Sequence, residues 1–224
     1  MEEWLFIQDE VLPALFKGLW VSLQLILPSA GLGLVLGVVA GTLRVYGNRP
    51  LAAAANLYAT LFRGVPLVVQ LFMWYFGLPH LGIYFSPFLA SVIGFSLCSG
   101  AYHSQYIRGA LLSIKQGQAA AAKALGFSQW QTLLFVILPQ ALRRALPGCG
   151  NEIIYLIKYS SLAYMVTCIE LTGEGKVLAS RTFKYTEVFL VVAVFYLVLV
   201  SIASWLLHRV EHRLIIPGFE RRGT

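Results

Sequence analysis

Between Lys17 and Arg44 the chain runs for 26 residues without a charged side chain, between Arg63 and Arg108 for 44, and between Glu187 and Arg209 for 21. A helix needs about 20 apolar residues to cross the hydrocarbon of a bilayer. The first gap therefore holds one span, the second the greater part of two, and the third one more. The middle gap divides at LPHLGIYFSP (78–87), where Pro79, Gly82 and Pro87 supply a turn. A further apolar run, about Leu146 to Ile169, carries Glu152 and Lys158 yet is long enough to cross. The expectation is an all-α integral membrane protein of about five transmembrane helices, a single membrane domain over residues 1–224.

Composition agrees: 58% of residues are hydrophobic, 12% are charged and the mean hydropathy is +0.73, whereas soluble domains are about a quarter charged. The net charge of +7 is not laid out as a basic stripe interleaved with aromatics, which speaks against nucleic acid as a partner. Its distribution follows a membrane rule instead. Arg44 and Arg49 follow span one; Lys115, Lys123, Arg143 and Arg144 lie between spans three and four; Arg209, Arg213, Arg221 and Arg222 follow span five. Cytoplasmic loops collect such residues, so the N-terminus is expected outside and the C-terminus in the cytoplasm. MEEWLFIQDE, with four acids and no base, falls on the outer side and lacks the positive start of a signal peptide. Cys98, Cys149 and Cys168 are odd in number and sit in or beside apolar runs, which fits packing rather than disulfides.

Gly33, Gly37 and Gly41 recur every four residues in span one, one smooth helical stripe for close helix packing. No Lys-Ser or Lys-Thr follows them and no Walker-type sequence occurs, so this chain is not expected to hydrolyse ATP. The stretch AAAAKALGFSQWQTLLFVILPQALRRALP (119–147) is different in kind. Residues 118–125 predict a short helix, with Gly126 as its left-handed stop. Ser128 and Gln131 fit a capping box that opens a second helix, and Pro139 is expected to end it. The apolar part is too short to span. The reading is two short helices on the cytoplasmic face with small side chains outward, able to dock a protein, or else a plain interfacial connector.

GQAAAAKALG (117–126) followed by ILPQALRRALP (137–147) resembles the EAA loop of binding-protein-dependent ABC importers. Ala121, Ala122, Gly126, Leu138 and Pro139 match the pattern, Val136 stands for its isoleucine, and Ala120 stands where the family usually has Glu. LFRGVPLVVQLF (61–72), GAYHSQYIRGAL (100–111) and PGCGNEIIYLIKYSSLAYMV (147–166) resemble the polar amino acid permeases in particular, and the similarity runs from about Gly18 to Leu207. The resemblance implies a type I importer permease fold and a transmembrane subunit that carries polar amino acids across the bacterial cytoplasmic (inner) membrane. It further implies two ATPase subunits holding ATP and Mg, a second permease subunit, and a periplasmic or lipid-anchored substrate-binding protein. No cofactor or metal is expected on this chain. Within a coupling loop at 115–139, the implied ATPase contacts are Ala120, Ala121, Ala122, Lys123, Gly126, Leu138 and Pro139.

Substrate contacts are expected at polar residues set at membrane depth. Arg63 should lie about two turns into span two, beside the Gly64–Pro66 break; an intramembrane Arg is a functional candidate, and its planar fork suits a carboxylate. In the resemblance this Arg lies near the amino acid carboxylate, while a structural pair with Glu152 or Glu170 is the alternative. Gly64, Tyr102, Gln105, Ser161, Leu162 and Glu170 complete the expected site, Glu170 as its acidic member near the outer end of span four. His103 is expected to be a hydrogen-bonded packing residue. The rival class is a stand-alone ion-coupled transporter or channel, which would show inverted repeats and buried carboxylates; neither is seen. A membrane enzyme is a second rival, but His208 and His212 in HRVEH lack the H-E-x-x-H order and fit a polar tail face. Three departures from the family pattern, Ala120, Gln105 and Tyr159, each replace an acid. They point to a different, related chain as the second permease, or else to a neutral or acidic substrate.

Overall fold

The computed structural model describes residues 2–214. Met1 and residues 215–224, among them the expected cytoplasmic Arg221 and Arg222, lie outside the described residues. Every regular element among the described residues is helical. A short α1 (Glu2–Phe6) and a π turn (Ile7–Val11) lead into α2 (Leu12–Tyr46), α3 (Arg49–Gly64) and α4 (Leu67–Phe72). Then come α5 (Pro87–Leu112), α6 (Gln116–Ala124), α7 (Gln129–Gln131), α8 (Leu138–Tyr159), α9 (Leu171–Thr182) and α10 (Tyr185–Leu214).

The glycine stripe of α2 is a packing surface, as its spacing predicts. A Cβ on Gly33 would lie 3.1 Å from the Ser99 side chain, one on Gly37 2.2 Å from His103 Cβ, and one on Gly41 3.0 Å from Ile107. Only residues without side chains let α2 and α5 approach this closely. His103 is fully buried against Gly37. The expected hydrogen bond is missing, because neither ring nitrogen has a partner among the described residues.

By length and apolarity two helical runs can cross a membrane, Glu3–Tyr46 and Tyr185–Leu214, or four when each of two bent pairs counts as one crossing. The fifth expected span falls on α5. That helix has 26 residues, about 39 Å at 1.5 Å per residue, and its four serines, with Gly94 and Gly100, are buried against protein rather than turned to lipid. One bent pair joins Arg49–Gly64 to Leu67–Leu81 at 103°. Pro66 lacks the N–H that would continue α3, and the side-chain amide of Gln70 donates to the freed carbonyls of Phe62 (3.0 Å) and Val65 (2.8 Å). Because α3 already begins at Arg49, Arg63 sits in its last turn rather than two turns into a span.

The second bent pair joins Gln129–Val166 to Leu171–Thr182 at 52°. Here Pro139 does not end a helix. A π turn over Thr132–Ile137 precedes it, with Leu138 N donating to Leu133 O. This wider register accommodates a residue that has no N–H and would clash with the preceding turn. The helix therefore passes through Pro139 and Pro147 to Tyr159. After a 3-10 stretch (Ser160–Val166) and a left-handed Thr167 (φ 62°), Glu170 caps α9.

Candidate functional site

The surface loop is built by local chemistry. At the end of α6, Phe127 N donates to Ala122 O (3.1 Å) and Gly126 N to Lys123 O (2.9 Å). This is the paired bonding of a Schellman stop, which needs the left-handed φ of +86° that Gly126 adopts. The capping box predicted for Ser128 is present: its hydroxyl accepts from Gln131 N (3.3 Å), and Gln131 Oε1 accepts from Ser128 N (2.8 Å). Ala120, Ala121, Lys123 and Gly126 are exposed. Ala122 is not: it is buried and half-buried Ala119 joins it, packing α6 against a core that includes Ile107, Leu111, Leu133 and Ile137. The loop thus turns only part of its alanines outward. Leu138 is half-buried on the same core, and Pro139 is exposed.

Two clamps that sequence reasoning missed hold this loop. Gln140 donates from its amide to Val136 O (2.7 Å) and to Gln118 Oε1 (3.3 Å), tying α8 to α6. Arg144 donates to Ser113 O (2.7 Å) and Ser113 Oγ (2.9 Å), closing the C-terminal end of α5. No sequence signal marks the Gln118 partner. An Arg placed to meet a helix's last carbonyls is a known device, but its target lies 31 residues away.

At the junction of α3 and α5 the structure joins three of the expected site residues. Arg63 donates from Nη1 to Gln105 Oε1 (3.3 Å), and its guanidinium carbon lies 5.6 Å from the Tyr102 ring centroid. Arg63 and Gly64 are exposed. Neither Glu152 nor Glu170 pairs with this Arg. A second guanidinium, unforeseen from sequence, stands beside it: Arg44 donates to Asn56 Oδ1 (2.8 Å) and to Ser104 Oγ (3.2 Å), bridging α2, α3 and α5.

The remaining expected contacts lie elsewhere in the chain. Ser161 bonds back to Lys158 O (2.8 Å) at the start of the 3-10 stretch, and Leu162 packs on the core containing Leu71, Phe95 and Leu156. Glu170 is fully buried and its oxygens are already taken. They accept from Thr172 N (2.9 Å), Gly173 N (3.0 Å), Tyr196 OH (3.1 Å) and Ser22 Oγ (3.4 Å). A buried carboxylate so bonded acts as a helix cap, and it lies apart from the Arg63–Gln105–Tyr102 group. Glu152, also buried, accepts from Tyr159 OH (2.5 Å). Among the described residues no three His, Cys, Asp or Glu side chains gather as a metal site. His208 and His212 face one another on exposed α10 with Nε2 atoms 2.9 Å apart.

Residues 33–216 match the family model for the binding-protein-dependent transport system inner membrane component. The chain is 41% identical over 195 residues to the probable amino-acid ABC transporter permease protein YckA of Bacillus subtilis (strain 168), covering 87% of this chain and 86% of that one. It is 40% identical over 211 residues to the glutamine transport system permease protein GlnP of Escherichia coli (strain K12), covering 92% and 94%. A crystal structure of an amino acid ABC transporter with histidines superposes with a TM-score of 0.82 at 31% identity, over 90% of this chain and 94% of that one. The MetNI methionine ABC transporter in an inward-facing conformation shares the fold, with a TM-score of 0.79 at 22% identity.

Proposed function

The chain belongs to the family of binding-protein-dependent transport system inner membrane components, and from that premise we infer that it is a permease subunit whose cargo is polar amino acids moving into the cell. ATP and Mg are held by two separate ATPase chains, and a binding protein outside the membrane delivers the substrate. The observation that carries the cargo assignment is the exposed guanidinium of Arg63, held by Gln105 and Tyr102 and, among the described residues, paired with no carboxylate. A fixed guanidinium fork at membrane depth is suited to the α-carboxylate common to all amino acids.

Transport then follows from how α6 is fastened. With α6 on the cytoplasmic side, its exposed Ala120, Ala121 and Lys123 meet an ATPase chain, while Ala122 and Ala119 are seated on the α5–α8 core. The Gln118–Gln140 bond and the shared core pass any push on α6 to α8. The second permease of the pair is a different, related chain; the absence of an acid at position 120 supports this, and subunit stoichiometry of the complex made with and without that chain tests it.

The importer reading is tested by vanadate-sensitive amino acid uptake in proteoliposomes holding the permease pair, the ATPase and the binding protein. Uptake that continues without the ATPase would return the chain to the class of stand-alone transporters. Arg63→Ala is expected to lower uptake at least about tenfold, since a charged hydrogen bond contributes about 1.5–3 kcal/mol. Assembly with the ATPase should be kept, as Arg63 is exposed. Wild-type uptake by Arg63→Ala would remove this residue from the site.

A further inference from the structure

From Val11 to Asn151 the chain contains no Asp or Glu, although Arg44, Arg63 and Arg108 all fall in that stretch. The structure gathers these three. Arg44 is held through Ser104, Arg63 through Gln105, and Arg108 follows one helical turn further along α5. The first three acids that come later in the chain are engaged elsewhere. Glu152 is buried under Tyr159, Glu170 caps α9, and Glu174 pairs with Lys17 at 2.7 Å. That last contact is the one ion pair between side chains among the described residues.

Like charges so grouped are normally separated or neutralised inside a membrane. Here the partners of Arg44 and Arg63 are two side-chain amides, a hydroxyl and an aromatic ring, all uncharged. These partners satisfy hydrogen bonds and leave the positive potential in place. A zwitterionic amino acid entering this field gains through its carboxylate, and a second positive charge on its side chain is repelled.

We propose that the α2–α3–α5 face is a charge filter, in which Arg44, Arg63 and Arg108 admit amino acids with neutral or anionic side chains and reject cationic ones, and that Gln105 sets this selectivity by holding Arg63 without neutralising it. The proposal rests on the reading of the chain as an amino acid permease. Glutamate at position 105 would pair with Arg63 at the distance now spanned by the amide, 3.3 Å, and would remove one uncompensated charge from the face.

The test is direct binding to the purified transporter, this chain with its ATPase and second permease but without binding protein. Labelled glutamine is displaced by unlabelled glutamine, glutamate, lysine or arginine. For the wild type, glutamine and glutamate should displace at concentrations at least about tenfold below lysine and arginine. In Gln105→Glu that ratio should narrow at least about tenfold, whereas Gln105→Met, which loses the hydrogen bond without adding charge, should still reject lysine. Wild-type displacement by lysine as strong as by glutamine overturns the proposal; so does an unchanged ratio in Gln105→Glu. Carboxylates supplied by the second permease would produce the first of these results. Vanadate-sensitive uptake with the binding protein is measured on the same preparations. Loss of all amino acid uptake there defeats the permease reading itself. Intact uptake without any displaceable glutamine binding defeats the filter alone.

Discussion

Gly37→Val is expected to prevent this protein from accumulating as a folded chain in the membrane, the largest loss of stability foreseen for a single substitution. A Cβ at position 37 would stand 2.2 Å from His103 Cβ and 3.1 Å from Ser104 N. The first is an atom next to the backbone and the second is backbone itself, so neither can swing aside as a side-chain tip would. Overpacking of a tight site costs about 1–3 kcal/mol. Here α2 and α5 must also separate along a shared stripe, so the cost falls at or above the top of that range. Gly31→Ala is the control, because nothing lies within 4 Å of a Cβ placed there. Thermal unfolding of detergent-purified protein should show a lower midpoint for Gly37→Ala, an unchanged one for Gly31→Ala, and too little Gly37→Val to measure. A Gly37→Val protein that melts with the wild type would show that α2 and α5 do not pack as described.

Ala121→Asp is expected to reduce uptake to background and to break co-purification with the ATPase, while the permease inserts normally. Ala121 is exposed on α6 and contributes nothing to the underlying core, so a carboxylate there costs the isolated chain little. Against a closely fitted partner it would be buried and unpaired, which is expensive. Gly126→Asp acts at the same junction by a second route. The left-handed backbone there, φ +86°, favours glycine over any residue with a side chain, though Asp tolerates it better than most, and the added carboxylate would stand unpaired against the partner. Uptake assays and pull-down of the ATPase, beside membrane levels of each variant, decide the matter. Normal transport by both variants would end the coupling assignment.

Much of the loop was legible in the sequence because its causes are local. Gly126 and the Ser128–Gln131 box act within a few residues, and the structure shows each bond they predict. The glycine stripe of α2 was legible for a related reason: its four-residue spacing declares a smooth face, whatever lies opposite. Pro139 misled because a single π turn changes the register in which a proline can be carried, and nothing in TLLFVI announces that turn. Tyr102 and Gln105 share a helix face by spacing alone, yet their contact with Arg63 spans 42 residues in the case of Gln105 and came from family resemblance. The capping role of Glu170 was not legible because a Glu cap is unusual, and Ser22, which completes its bonding, lies 148 residues away. Long-range partners of this kind leave no periodic trace.

The run from Gln129 to Val166, one helix through both prolines, can be viewed as a mechanical strut. It has a length on the order of 50 Å, with the surface loop at one end and the Thr167 corner at the other. A rigid strut of that size, tilted by about 10° about its middle, moves each end by about 4 Å. Pro139 and Pro147 each delete one backbone bond, the first near the loop and the second at the middle of the run, so those are the two places where such a strut yields to bending.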